Sequence, residues 1–202
     1  RHGTRTASII TRVAPETRLV PYRYPRPDMQ RMEDLITHAV AAGVRVVNMS
    51  LGSNRESQWT AFEYAALRHP ELLFVVSAGN NSRNIDLEPV YPAVLPLENM
   101  LVVSSVASDG YPAEGANWGK ESVDLLVPGE HIAALNFLGE TVEVSGSSYA
   151  AARVTALAAR ILLSAPDLTA AELRDEILSL AQPAPGNFVR HGLIAEPSDL
   201  VR

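Results

Sequence analysis

The 202-residue sequence predicts a three-layer α/β fold built on a mostly parallel sheet. Three observations point to it. Short apolar runs rich in β-branched residues are bounded by turn signals. They alternate along the chain with stretches of helical periodicity. The runs are apolar at consecutive positions rather than at every second one, as expected of strands buried on both faces of a parallel sheet. With 47% hydrophobic and 20% charged residues, no interior linker and no repeat, the chain is read as one domain over residues 1–202.

Met32 to Ala42 places Leu35, Ile36, Ala39 and Val40 on one helical face, with Gly43 as the expected C-cap. Val44 to Met49 then reads as a buried strand. Trp59, Phe62, Ala65 and Ala66 form a second helical stripe, stopped by Pro70. Strands are expected at 72–76, 100–106, 123–127 and 141–145. The Ala- and Leu-rich stretch 148–163 reads as a buried helix. Thr169 and Glu172 form a capping-box pattern that opens a last helix through about Leu180.

Composition narrows the chemistry. The chain has no cysteine, which excludes disulfides, thiol catalysis and cysteine-ligated zinc. Its net charge is −6 with scattered basic residues, so no nucleic-acid partner is expected. No apolar run reaches membrane-spanning length, so no membrane partner is expected either. His38, His69 and His131 show no metal-ligand spacing and read as surface or structural residues.

Three segments can carry a reaction. Ser148, in Ser145-Gly146-Ser147-Ser148-Tyr149-Ala150, joins a strand to a helix, where free N–H groups and the dipole favour developing negative charge. In isolation such a serine is more often an N-cap. His2, in His2-Gly3-Thr4, offers the usual general base near neutral pH, or is merely exposed. Asn80, in Ser77-Ala78-Gly79-Asn80-Asn81, offers an amide to an oxyanion, or forms a Gly-Asn turn.

Their order along the chain is more specific than any one of them. His2-Gly3-Thr4, Asn48-Met49-Ser50-Leu51-Gly52, Ser77-Ala78-Gly79-Asn80, Val127-Pro128-Gly129 and Gly146-Ser147-Ser148-Tyr149-Ala150 follow one another. In this order they resemble the subtilisin-like serine peptidases, the subtilases, and specifically the C-terminal portion of the catalytic domain. Val13-Ala14-Pro15 and Gly192-Leu193-Ile194 agree with the same pattern. The resemblance implies hydrolysis of peptide bonds by acyl transfer. It assigns His2 as general base, Ser148 as nucleophile and Asn80 as oxyanion donor together with the Ser148 N–H. It implies that Ser50, Leu51 and Gly52 pair with substrate and form one wall of its pocket, with Ser77, Ala78 and Gly79 opposite. Peptide or protein substrates follow from it, and a secreted or extracytoplasmic location is favoured. No cofactor is expected. Calcium, common in the family, has no acidic loop of ligand spacing to hold it and stays unassigned.

The sequence departs from the pattern in one important respect. The family's triad runs Asp, His, Ser, and only Arg1 precedes His2. Asp109 reads as part of a surface turn and Asp124 as part of a structural strand. We therefore expect the carboxylate to sit on an upstream segment beyond a processing or cloning boundary, and a companion N-terminal fragment to complete the domain. A gap or raw sheet edge follows from the same expectation. Tyr149 stands where the family has Met, Ala152 where it has Pro, Arg153 where it has His, and Ser8 where it has Gly. These departures leave open a non-catalytic homologue that binds or scaffolds. An α/β-hydrolase using Ser148, Asp175 and His191 has the right chain order. It lacks the second glycine of the nucleophile elbow, and it puts Asp175 on the solvent face of a helix.

Overall fold

The computed structural model describes residues 1–26 and 28–197. Five helices are present among them: α1 His2–Val13, α2 Arg31–Ala41, α3 Thr60–Arg68, α4 Ser147–Ser164 and α5 Ala170–Ser179. The strands are β1 Val46–Met49, β2 Leu73–Ser77, β3 Met100–Val106, β4 Leu125–Pro128, β5 Ile132–Leu135, β6 Thr141–Val144 and β7 Gly192–Leu193. Five of them form one sheet in the order β1-β2-β3-β4-β7, and every neighbouring pair in it is parallel.

Two-faced burial explains the apolar runs. Phe74, Val76, Met100 and Val102 point to one face, where they pack with Met32 and Ile36 of α2 and Phe62, Ala65 and Ala66 of α3. Leu73, Val75, Leu101, Val103, Leu125 and Val127 point to the other, against α4 and α5. Such consecutive burial needs a helix on each side, which gives the three layers. The helix ends follow their local chemistry. Gly43 takes φ +74 just past α2, a left-handed position that a side chain would strain. The Thr169–Glu172 capping box is formed in both directions. Trp59 serves as the N-cap of α3 and packs edge-on against Phe62.

The strand expected at 141–145 is present as Thr141–Val144; it pairs antiparallel with Ile132–Leu135 as a hairpin separate from the parallel sheet, and this hairpin packs on α1. Gly192-Leu193 forms a short strand at one edge of the sheet.

The opposite edge belongs to β1. Val46, Val47 and Asn48 are only half-buried there, and the sole pairing of β1 among the described residues is with β2. A groove of about 860 Å³ runs along this edge. Ile10, Leu19, Ile36, Val46 and Leu162 line it, and it reaches His2 at one end. No helix among the described residues is long and apolar enough to cross a membrane.

Candidate active site

Because the sheet is parallel, the carboxyl ends of its strands lie together, the usual place for a ligand in an open α/β sheet. Met49 ends β1 and leads into Ser50-Leu51-Gly52. Ser77 ends β2 and leads into Ala78-Gly79-Asn80. Pro128 ends β4 and leads into Gly129. The N-terminus of α4 closes on the same rim.

Two glycines permit that closure. The Gly146 N–H donates to the Gly129 carbonyl at 2.9 Å. A Cβ on Gly129 would stand 2.8 Å from the Gly146 carbonyl oxygen and 2.8 Å from Ser105 Oγ. Gly146 itself has φ +130, and a Cβ there would press on the Asn80 amide at 3.2 Å. The Pro-Gly and Gly-Ser segments are therefore matched to each other.

Ser148 lies in the first turn of α4, half-buried, and its N–H has no acceptor among the described residues, as the start of a helix requires. A relay of hydrogen bonds holds this turn. Thr155 Oγ1 donates to Asn48 Oδ1 at 3.0 Å, Asn48 Nδ2 to Ser50 Oγ at 3.0 Å, and Ser50 Oγ to the Ser148 carbonyl at 2.8 Å. The end of β1 is thereby tied to the backbone of the serine.

Asn80 is exposed, and its Oδ1 accepts the Ser147 N–H at 2.9 Å. That bond fixes the amide so that Nδ2 carries the free donors. Ser147, fully buried, returns the contact by accepting the Gly79 N–H on Oγ at 3.2 Å. The loop is shaped from below by buried Asn117. Its Nδ2 donates to the Ala78 carbonyl at 2.9 Å, and its Oδ1 accepts the N–H groups of Asn81 and Arg83. Its own N–H donates to the Gly79 carbonyl at 3.0 Å. Of the segment expected to form a pocket wall, Ser77 and Ala78 are buried, whereas Gly79 is half-open. On the opposite side, Leu51 is half-buried and Gly52 exposed. A bridge between Ser53 and Tyr91 holds that segment.

His2 occupies the first turn of α1 and lines the groove that also reaches Asn48 and Ser50. Its ring lies 5.9 Å from that of Tyr149, the residue after Ser148. Among the described residues no hydrogen bond joins the His2 ring to Ser148 Oγ or to a carboxylate. Desolvation, then the Arg5 cation and the N-terminal ammonium, hold the imidazole below its ordinary value of 6.5. At neutral pH it is a free base.

The aspartates that the sequence offers as alternatives lie in other settings. Asp124 is buried, accepts the Val102 N–H at 2.8 Å, and pairs with Arg174 at 3.0 Å and with His191 at 3.7 Å. Asp175 is exposed on α5. His191 thus joins a structural cluster with Asp124, and the Ser148–Asp175–His191 alternative loses its base. Asp109 accepts the Tyr111 N–H within an exposed turn.

The sequence did not announce Asn117, Ser147 or Thr155. Asn48 and Ser147 lay inside recognised segments, but nothing marked their side chains as structural. Thr155 lies two turns beyond Ser148, on the side of α4 that faces β1; a buried hydroxyl in an Ala-rich helix was the available signal.

Comparison with known proteins gives a consistent answer. The family model described as the subtilase family matches residues 1–192. Subtilisin-like protease 6 of Trichophyton tonsurans is 35% identical over 124 residues, covering 61% of this chain and 29% of the fungal protein. The thermophilic serine proteinase of Bacillus sp. (strain AK1) is 28% identical over 211 residues, covering 96% and 50%. A solved cold-adapted subtilisin-like serine proteinase superposes with a TM-score of 0.81 at 25% identity, covering 96% of this chain and 74% of that one. The chain thus spans half or less of the length of these two curated relatives.

Proposed function

The chain belongs to the subtilase family, and from that premise we propose that it is the His- and Ser-bearing part of a serine endopeptidase whose third triad member lies outside residues 1–202. The observation that carries this reading is the set of contacts converging on the first turn of α4. Asn80 is held against the backbone next to Ser148, Ser50 is held against its carbonyl, and His2 touches its neighbour. In the reaction, neutral His2 takes the proton of Ser148 Oγ as that oxygen attacks the scissile carbonyl. The oxyanion is met by Asn80 Nδ2 and the Ser148 N–H. His2 then protonates the leaving amine, and water releases the acyl group by the same route.

The free edge of β1 and the apolar groove support a place for the missing carboxylate. An extended segment laid along β1 would satisfy its open backbone groups and bury the groove. Such a segment ends beside His2, where an aspartate could orient the imidazole and stabilise its cation. The test is peptide hydrolysis by the full-length protein and its Ser148→Ala variant. Activity that depends on Ser148 supports the proposal; activity unchanged by the substitution overturns it.

A folded full-length protein that binds peptides without cleaving them would instead bear out a binding or scaffolding homologue.

A further inference from the structure

His2 is exposed and makes no hydrogen bond through its ring among the described residues, but its ring has an aromatic neighbour. One side of the imidazole meets the Tyr149 ring, with centroids 5.9 Å apart and planes inclined at 43°. We propose that Tyr149 is a positioning residue that sets the facing of the His2 imidazole beside Ser148. The proposal rests on the reading of His2 as general base.

Tyr149 is itself well fixed. It is 6% exposed and packs in one cluster with Ile9 and Ile10 of α1, Val144 of β6, and Ala152 and Ala156 of α4. Its N–H donates to the Gly146 carbonyl at 2.9 Å. Adjacent helical residues point about 100° apart. Tyr149 can therefore lie between α1 and α4 while Ser148 faces the rim. Ala152 and Ala156 keep the surface of α4 low, so that α1 packs closely along it and traps the ring. Tilted aromatic contacts at this separation are attractive and directional. The departure from Met at this position thus puts a rigid ring where the family has a flexible chain.

The surroundings fit a neutral, oriented base. The charged side chain that bears on the imidazole is Arg5 of α1. Tyr149 is the titratable group facing it from α4, and the nearby Asn48 and Ser50 from the β1 end are uncharged.

The test reads the His2 ring resonances by NMR in the full-length protein, assigned by His2→Gln, through a pH titration of the parent, Tyr149→Phe and Tyr149→Leu. The parent and the Phe variant are expected to show a ring-current shift and a titration midpoint below 6.5. In the Leu variant the shift disappears and the midpoint moves up toward 6.5, while His191 stays unchanged as a report of the intact fold. In the full-length protein, kcat falls about tenfold or more for Leu at little cost in KM, and Phe restores it. Should Leu fail to fold, Tyr149→Met fills the volume without a ring and gives the same readout. A His2 resonance and titration indifferent to loss of the ring overturn the proposal. If the resonance responds but the full-length parent does not hydrolyse peptides, the positioning stands and only the peptidase reading falls.

Discussion

At the scale of single residues, the site depends on amides and hydroxyls whose partners are already chosen. Asn80 spends its oxygen on the Ser147 N–H, leaving its nitrogen to donate. Asn80→Ala in the full-length protein should lower kcat by about 10²–10³ with KM nearly unchanged, because the donor acts only when the oxyanion forms. Asn117 is different. It is fully buried and holds four backbone groups of the loop. Asn117→Ala keeps the backbone bond to Gly79 but leaves the Ala78 carbonyl and the Asn81 and Arg83 N–H groups without their side-chain partner, and should cost about 3 kcal/mol or more in denaturant unfolding. Asn80→Ala, on the exposed side, should barely move that curve. His2 adds a pH dependence of known sign. Its folded value lies below 6.5, so the unfolded chain binds more protons, and stability falls as pH drops from about 6.5 through the folded value. Denaturant midpoints of the parent should therefore decline over that window more than those of His2→Gln.

At the scale of elements, the local signals in the sequence explain what could be read from it. β3 follows from the apolar run Met100 to Val103, which Ser104 and Ser105 extend to Val106, and α5 follows from its capping box. The hairpin was only half legible. β6 carried an alternating pattern, but Ile132–Leu135 is only four residues long and half of it is exposed, and its buried positions pack with α1. Ser8 shows why. Its Oγ accepts the Leu135 N–H at 2.9 Å, a contact that glycine could not make. The hairpin also carries the exposed pair His131–Glu143 at 2.7 Å, where the carboxylate raises the His131 titration above 6.5. Glu143→Gln should lower that midpoint, as read by NMR. The departure at Arg153 has a partner as well: its guanidinium reaches the Pro128 carbonyl at 3.0 Å and Glu196. Motif order singled out Ser50, Asn80 and Ser148, and the first two fold onto the turn that holds the third. It could not supply Asn117, Ser147 and Thr155, because their role appears only when the strand ends and α4 are brought together.

At the scale of the whole molecule, the distribution of apolar surface is uneven. One edge of the sheet is finished by the short β7, and the other stops at β1 beside an apolar groove. Residues 1–202 alone should therefore self-associate or bind an apolar dye, and the full-length protein should do neither. A monomeric, cooperatively unfolding, dye-silent chain in sedimentation and calorimetry would count against the docking of a further strand there. The three layers place the site at the strand ends, and the relay from Thr155 to Ser148 couples that site to the same unfinished edge. The central claim is that Ser148 becomes a nucleophile when the edge is completed. Its most direct test is reaction of the folded full-length protein with a fluorophosphonate, followed by mass mapping of the adduct. The account predicts one adduct on Ser148, lost in His2→Ala. No adduct, or an adduct on another serine, would contradict it.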